Sequence, residues 1–208
     1  MIRLALPKGR NLEVALAAFG AAGLDLGAPE APGRSLRTRP PAAGVEVLLL
    51  KDWDVPLYVE QGVADCGVVG SDVLGELDGD LLVPVRLLAG RARMSLIGRP
   101  GALPQPGAQV RLATKYPATA RRWLAGLPWG AEVLELAGSV ELAPVLELAE
   151  VALDIVQSGR TLAANHLAEL QVVAEVAACL VVGRAAFQRH RGTVNDWVGR
   201  LEAAAVVS

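Results

Sequence analysis

After Met1 the chain runs Ile2-Arg3-Leu4-Ala5-Leu6-Pro7-Lys8-Gly9-Arg10-Asn11-Leu12. A short apolar run ends at a proline, which cannot donate to a ladder, so residues 2–6 predict a buried strand. Past Lys8-Gly9-Arg10, the residues Leu12, Ala15, Leu16 and Phe19 recur at i, i+3, i+4 and i+7, one face of a helix. Asn11 is its candidate N-cap and Gly23 its candidate stop. Residues 45–50 predict a second strand, followed by a short helix that Asp54 caps, with Pro56 in its first turn and Gly62 at its end. Residues 66–69 predict a third, running through Gly70-Ser71-Asp72 into another helix. Strands alternating with helices predict an α/β sheet covered on both faces.

The pattern restarts near residue 90. Residues 94–97, 111–114, 133–136 and 153–156 predict strands, and Ala120, Trp123, Leu124 and Leu127 mark one face of a helix. The most loop-like stretch, residues 99–109, lies inside this half. A late apolar run at 177–182 precedes a final helix that turns Val194, Trp197, Val198, Leu201 and Ala205 to one side. The expectation is two α/β lobes: residues 1–89 with 184–208, and residues 90–183.

With 208 residues and 21.7 kDa, folding buries about 70% of the extended chain's surface, enough to need no disulfide or metal staple. A hydrophobic share of 52% excludes a disordered chain, and a net charge of -2 lacks the basic excess of a nucleic-acid-binding domain. Cys66 and Cys179 sit in apolar runs and read as buried thiols of a reducing compartment rather than a pair. The first residues lack the apolar core of a signal peptide, and no uncharged run reaches the roughly 18 residues that span a bilayer. These features predict a soluble cytoplasmic protein. Its only lysines are Lys8, Lys51 and Lys115. Where arginine does the remaining basic work, a retained lysine suggests a position wanting a compact ammonium.

The strongest chemical segment is Leu153-Asp154-Ile155-Val156-Gln157-Ser158-Gly159-Arg160-Thr161-Leu162. A buried strand enters a loop of small polar residues and then a helix. Gly159 permits a backbone closed to other residues, so the amides and hydroxyls of residues 158–161 can cradle a phosphate; the alternative is an ordinary turn capped by Thr161. Asp154 can accept hydrogen bonds from sugar hydroxyls. No Gly-Lys-Ser/Thr follows, which excludes a Walker loop. Lys8 with Arg10, Ser71 with Asp72, and Ser139 with Glu141 lie at other strand ends, where open α/β sheets bind ligands. Together they suggest a polyphosphorylated sugar or nucleotide with a divalent ion. His166 and His190 stand apart from any metal-ligand spacing, and no Gly-x-Ser-x-Gly elbow marks a covalent nucleophile. Trp123, Trp129 and Trp197 read as core or lobe-packing residues. Trp53 reads the same way, with a base-flanking role as its alternative.

Leu4-Ala-Leu-Pro-Lys-Gly-Arg10, Asp54-Val-Pro-Leu-Tyr-Val-Glu60 with Gly62-Val-Ala-Asp65, Gly67-Val-Val-Gly-Ser-Asp72, Arg111-Leu-Ala-Thr-Lys-Tyr-Pro117, Gly138-Ser-Val-Glu-Leu-Ala-Pro144 and residues 154–162 occur in this order. Together, over nearly the whole chain, they resemble the ATP phosphoribosyltransferases, which open histidine biosynthesis. The resemblance implies two lobes like those of type II periplasmic binding proteins, with the active site in the cleft. It implies Mg²⁺-dependent attack of ATP N1 on 5-phosphoribosyl pyrophosphate. The length resembles the short form, which lacks a regulatory domain. That form makes a hetero-oligomer, with homodimers inside it, with a partner resembling histidyl-tRNA synthetase, through which histidine feeds back.

On this resemblance Ser158, Gly159, Arg160 and Thr161 take the 5′-phosphate, and Asp154 with Glu141 the ribose. Lys8, Arg10 and Lys51 take pyrophosphate or ATP phosphates, and Asp72, Lys115 and Tyr116 the opposite cleft wall. The departures are Glu147 and Glu150, where the family usually has Gly and Asp, Gln157 for Ser, Ser158 for Thr, and His166 for Gly. Two other readings share parts of this pattern. A bilobal solute-binding module normally carries an export signal, and other phosphoribosyltransferases normally show adjacent acidic residues before the loop.

Overall fold

A computed structural model describes residues 1–27, 36–39, 44–87 and 92–206, with the side chains of Arg10, Ala205 and Val206 outside the description. In chain order the elements are β1 (Ile2–Pro7), α1 (Arg10–Ala21), β2 (Arg37–Thr38), β3 (Val45–Leu50), a 3-10 turn (Asp52–Asp54), α2 (Val55–Glu60), β4 (Cys66–Gly70), α3 (Ser71–Leu77) and β5 (Leu82–Arg86). There follow β6 (Ala92–Gly98), β7 (Gln109–Thr114), α4 (Pro117–Leu124), β8 (Gly130–Glu135), α5 (Leu142–Val145), β9 (Val151–Val156), α6 (Arg160–Ala164), β10 (Ala168–Val176), β11 (Ala178–Val182) and α7 (Arg184–Val206). They form two units, Met1–Gly90 with Ala177–Ser208, and Arg91–Val176.

In the first unit the sheet order is β2-β3-β1-β4-β11-β5. The strands β3, β1 and β4 run parallel, so their carboxyl ends share one edge. Leu4, Leu6, Val47 and Val68 pack with Phe19 of α1 and Trp197 of α7, while Ala5, Val55, Val59 and Val69 fill the opposite face. Burial on both faces explains why these strands are unbroken apolar runs. Phe19 and Trp197 meet edge-on, centroids 5.6 Å apart at 86°, worth about 1 kcal/mol beyond the buried area. Buried Asp65 ties α7 down. It accepts the Arg3 amide at 2.8 Å and the Arg189 guanidinium at 2.9 Å.

The lobe boundary expected at residue 184 moves. The apolar run at 178–182 is β11, hydrogen-bonded between β4 and β5, so the second stretch of this unit starts at Ala177. Apolar strands seek a neighbour on each side, and periodicity carries no record of which sheet supplies it. Asn11 is not the N-cap of α1, which opens one residue earlier at Arg10; its amide instead reaches Asp52 at 2.9 Å. Gly23 does stop the helix, at φ 72, with the Leu24 amide bonded back to the Phe19 carbonyl. Trp53 is 37% exposed, against its core reading, because it lies on the 3-10 turn outside the sheet. Cys66 and Cys179 are buried and free, and burial raises both thiol pKa values.

The second unit has the order β10-β6-β9-β7-β8, with β9, β7 and β8 parallel and β6 antiparallel to β9. Leu96, Leu112, Leu153 and Trp129 occupy one face; Ile97, Ala113, Ala152, Val156 and Leu162 occupy the other. Three strands escaped the sequence reading. They are the short β2, the Pro84-containing β5 and β10, each at a sheet edge. Edge strands are half-solvated and tolerate proline, so no continuous apolar run marks them.

Glu147 adopts φ 61, a left-handed conformation, between α5 and β9. That geometry costs a side-chain-bearing residue roughly 1–2 kcal/mol. Its exposed ion pair with Arg99 at 2.9 Å offsets at most about 1 kcal/mol of that. Glu147→Gly is therefore expected to raise stability by about 1 kcal/mol, checked by the urea midpoint at unchanged m-value; a lower midpoint contradicts the strain.

Candidate active site

In the first unit the parallel register places Pro7 beside Leu50, so Lys8 and Lys51 begin the loops leaving two adjacent strands. The Lys8 amide bonds the Leu50 carbonyl at 3.0 Å, and the Asn11–Asp52 contact ties the same two loops together. Both lysines are exposed. Arg10 contributes its backbone to the start of α1; its side chain lies outside the described residues. Asp72, in the first turn of α3, folds its carboxylate back over Gly70, into the space an added Cβ would take. Ser71 donates its amide to the Ala177 carbonyl at 2.8 Å, and its hydroxyl accepts the Ala177 amide at 3.2 Å.

The second unit gathers more. Thr114, buried at the end of β7, donates its hydroxyl to the Leu153 carbonyl at 2.8 Å and accepts the Tyr116 amide at 2.9 Å. The chain therefore turns sharply as it leaves β7. Lys115 stands beside Asp154 of β9, Nζ 3.6 Å from Oδ1, and 5.5 Å from the centroid of the buried Tyr116 ring. Asp154 is mostly buried, and its Oδ1 accepts no hydrogen bond. Burial raises its pKa, Lys115 draws it down, and Glu141 adds to the rise. Glu141 caps α5 from the loop that follows β8, close enough for its charge to be felt at Asp154.

The loop follows β9 directly, and Gly159 lies three residues past the strand's end. Gly159 has φ 68 and ψ 1, directly before α6. A Cβ there would meet nothing within 4 Å, so the backbone conformation, not space, calls for glycine. Ser158, Arg160 and Thr161 are exposed, with Arg160 Nε 3.4 Å from Ser158 Oγ. The first amides of a helix have no intrahelical acceptor and are open to an anion. Sequence reasoning missed Thr114, whose signal was a hydroxyl residue closing an apolar strand just before Lys-Tyr-Pro. The Glu150 departure lies at the far edge of this sheet, where Arg111 hydrogen bonds hold its carboxyl down to about 2.

Residues 51–203 match the family described as HisG: ATP phosphoribosyltransferase. An ATP phosphoribosyltransferase of Thermus thermophilus is 44% identical over 200 residues, covering 96% of this chain and 95% of that protein. One from Deinococcus radiodurans is 45% identical over 202 residues, covering 96% and 89%. This chain belongs to the ATP phosphoribosyltransferase family. A solved ATP phosphoribosyl transferase (HisG:HisZ) complex from Thermotoga maritima aligns over 100% of both chains, with a TM-score of 0.81 and 30% identity. The periplasmic aliphatic sulphonate binding protein SsuA of Escherichia coli aligns over 99% of this chain and 72% of its own, with a TM-score of 0.65. At 10% identity that likeness shows the fold alone, two α/β lobes of the periplasmic-binding type.

For this transferase fold Mg²⁺ is the implied ion. Among the described residues no three His, Cys, Asp or Glu side chains group as a cage would require. Those described side chains form no ready-made cage of their own. Lys115 is the cation that the side chains themselves supply to Asp154, so Lys115→Met should raise the Asp154 pKa further. A raised carboxylate pKa costs stability above the folded pKa and costs nothing below the unfolded one. The variant should thus lose about 1–2 kcal/mol at neutral pH. The difference should close as pH falls below the ordinary Asp range. Denaturant midpoints across pH check this, and a gap constant with pH contradicts it.

Proposed function

We propose that this chain transfers the phosphoribosyl group of 5-phosphoribosyl pyrophosphate to N1 of ATP, giving phosphoribosyl-ATP and pyrophosphate, the first step of histidine biosynthesis. The observation that carries the reading is the loop after β9, a left-handed Gly159 between hydroxyls and a helix start, two strand residues beyond a half-buried Asp154. Family membership supports the reaction, and the loop supports a place for the sugar phosphate.

The N1 lone pair forms a bond to C1′ as the C1′–oxygen bond breaks, and its electrons leave with pyrophosphate. The ring passes through an oxocarbenium-like state, which Asp154 and Glu141 stabilise from the ribose side while accepting the sugar hydroxyls. Ser158, Gly159, Arg160 and Thr161 take the 5′-phosphate. Lys8, Lys51 and Arg10 meet the anionic charge of pyrophosphate or ATP, and Asp72, Lys115 and Tyr116 complete the substrate contacts. Adenine N1 is a weak nucleophile, so much of the acceleration comes from alignment with C1′. No protein nucleophile or general base is needed. Mg²⁺, carried by the pyrophosphate group as a part of the substrate, would neutralise the charge that leaves with it.

The Thermotoga complex and the sequence resemblance support a partner of the HisZ type, resembling histidyl-tRNA synthetase, in a hetero-oligomer with homodimers of this chain. A cytoplasmic location fits, and no helix among the described residues is long and apolar enough to cross a membrane. Gly159→Ala leaves room for its methyl group but strains the loop at φ 68, by about 1–2 kcal/mol. It should weaken 5-phosphoribosyl pyrophosphate binding about tenfold, with the far-UV spectrum unchanged. Unaltered affinity by calorimetry removes the phosphate-loop assignment.

A further inference from the structure

We propose that Ser95 is a positioning residue for Asp154: its buried hydroxyl donates to the carboxylate, so that the remaining lone pairs and the Lys115 ammonium face the ribose hydroxyls. Ser95 lies in mid-β6, wholly buried, with Asp154 its direct partner in the antiparallel β6–β9 pair. Such partners have Cβ atoms about 5 Å apart, within reach of a serine hydroxyl and a carboxylate. Ser95 Oγ and Asp154 Oδ1 are both buried, and neither has a hydrogen-bond partner. Two orphaned buried oxygens on facing residues, one able to donate and one only to accept, form a pair that side-chain rotation can close.

The competing acceptor is Glu169 of β10, on the other side of β6. Ser95 contributes to keeping that carboxyl low, after the larger effect of Arg93. But both Glu169 oxygens are already served by Arg93, Nε at 3.0 Å and Nη2 at 2.8 Å. On Asp154 it is Oδ1 that lacks a hydrogen bond. Asp154 is faced by Lys115 from the turn after β7, by Glu141 from the loop before α5, and by Ser95 from β6; Arg93 and Glu169 are paired with each other. A donor from Ser95 favours the ionised carboxylate, acting with Lys115 against burial and Glu141.

The inference rests on the ribose reading of Asp154, and the test separates the two. Calorimetric binding of 5-phosphoribosyl pyrophosphate to the full chain is measured across pH for Ser95→Ala, Asp154→Asn and the double variant. Ser95→Ala should weaken binding about tenfold and leave ATP binding unchanged. The pH at which affinity fades on acidification should move upward, while the melting temperature holds or rises. In the Asp154→Asn background Ser95→Ala should add nothing. Undiminished affinity in Ser95→Ala, with Asp154→Asn impaired, overturns the positioning role alone. Additive losses, or a fall in melting temperature with both substrates weakened alike, overturn it in favour of a structural hydroxyl. Full affinity in Asp154→Asn overturns the ribose reading, and this inference with it.

Discussion

Thr114 donates its buried hydroxyl to the Leu153 carbonyl, and what the second unit presents at its sheet edge depends on the parallel register that this bond secures. With Thr114 opposite Leu153, the next residue, just past β7, falls beside Asp154. A shift of one residue would turn the lysine to the other face, onto the Leu112–Leu153 core. The same hydroxyl accepts the Tyr116 amide, which starts the turn into α4 and lays the ring beneath the ammonium. One buried oxygen thereby sets the register, the turn and the cation–ring contact.

The three lysines of the chain follow one rule. Lys8 leaves β1, Lys51 leaves β3 and Lys115 leaves β7, each the first residue beyond the carboxyl end of a parallel strand. Helix amides and strand ends already concentrate anion-binding capacity at such edges. A compact ammonium on a flexible stem can follow phosphate oxygens that move as a bond breaks, which a planar guanidinium does less well. Arginines are used elsewhere for fixed, bidentate duties: Arg93 on Glu169, Arg184 on Asp80, Arg111 on Glu150. The division of labour is legible because the composition otherwise favours arginine so heavily.

Central strands could be read from the chain because burial on two faces leaves an unbroken apolar signature, as in residues 45–50 and 66–69. Edge strands could not; β10 keeps only Val176 of its nine residues buried. The sheet to which residues 178–182 belong was also hidden, since an apolar strand advertises burial and not its neighbours. Within the site, Gly159 and Asp154 were legible because a strand–glycine–helix turn constrains the backbone whatever surrounds it. Ser95 and Thr114 were not. Their meaning comes from the residues across the sheet, and pairing between β6, β7 and β9 joins positions 39 or more residues apart.

The likeness to a sulphonate-binding protein at 10% identity sharpens where chemistry resides. A fold shared at so low an identity cannot carry the residues of a reaction; it carries only the geometry that brings strand ends to one edge. What distinguishes a transferase on such a frame is the polar content of those edges. A carboxylate has to be kept ionised although burial opposes it, and a phosphate loop has to follow within a few residues. At Asp154 burial pushes the pKa up, Lys115 and the Ile155 backbone hydrogen bond draw it down, and Glu141 adds to the rise. On the reading proposed above, that balance together with the loop would let the site stabilise positive charge developing on a sugar ring as well as hold an anion.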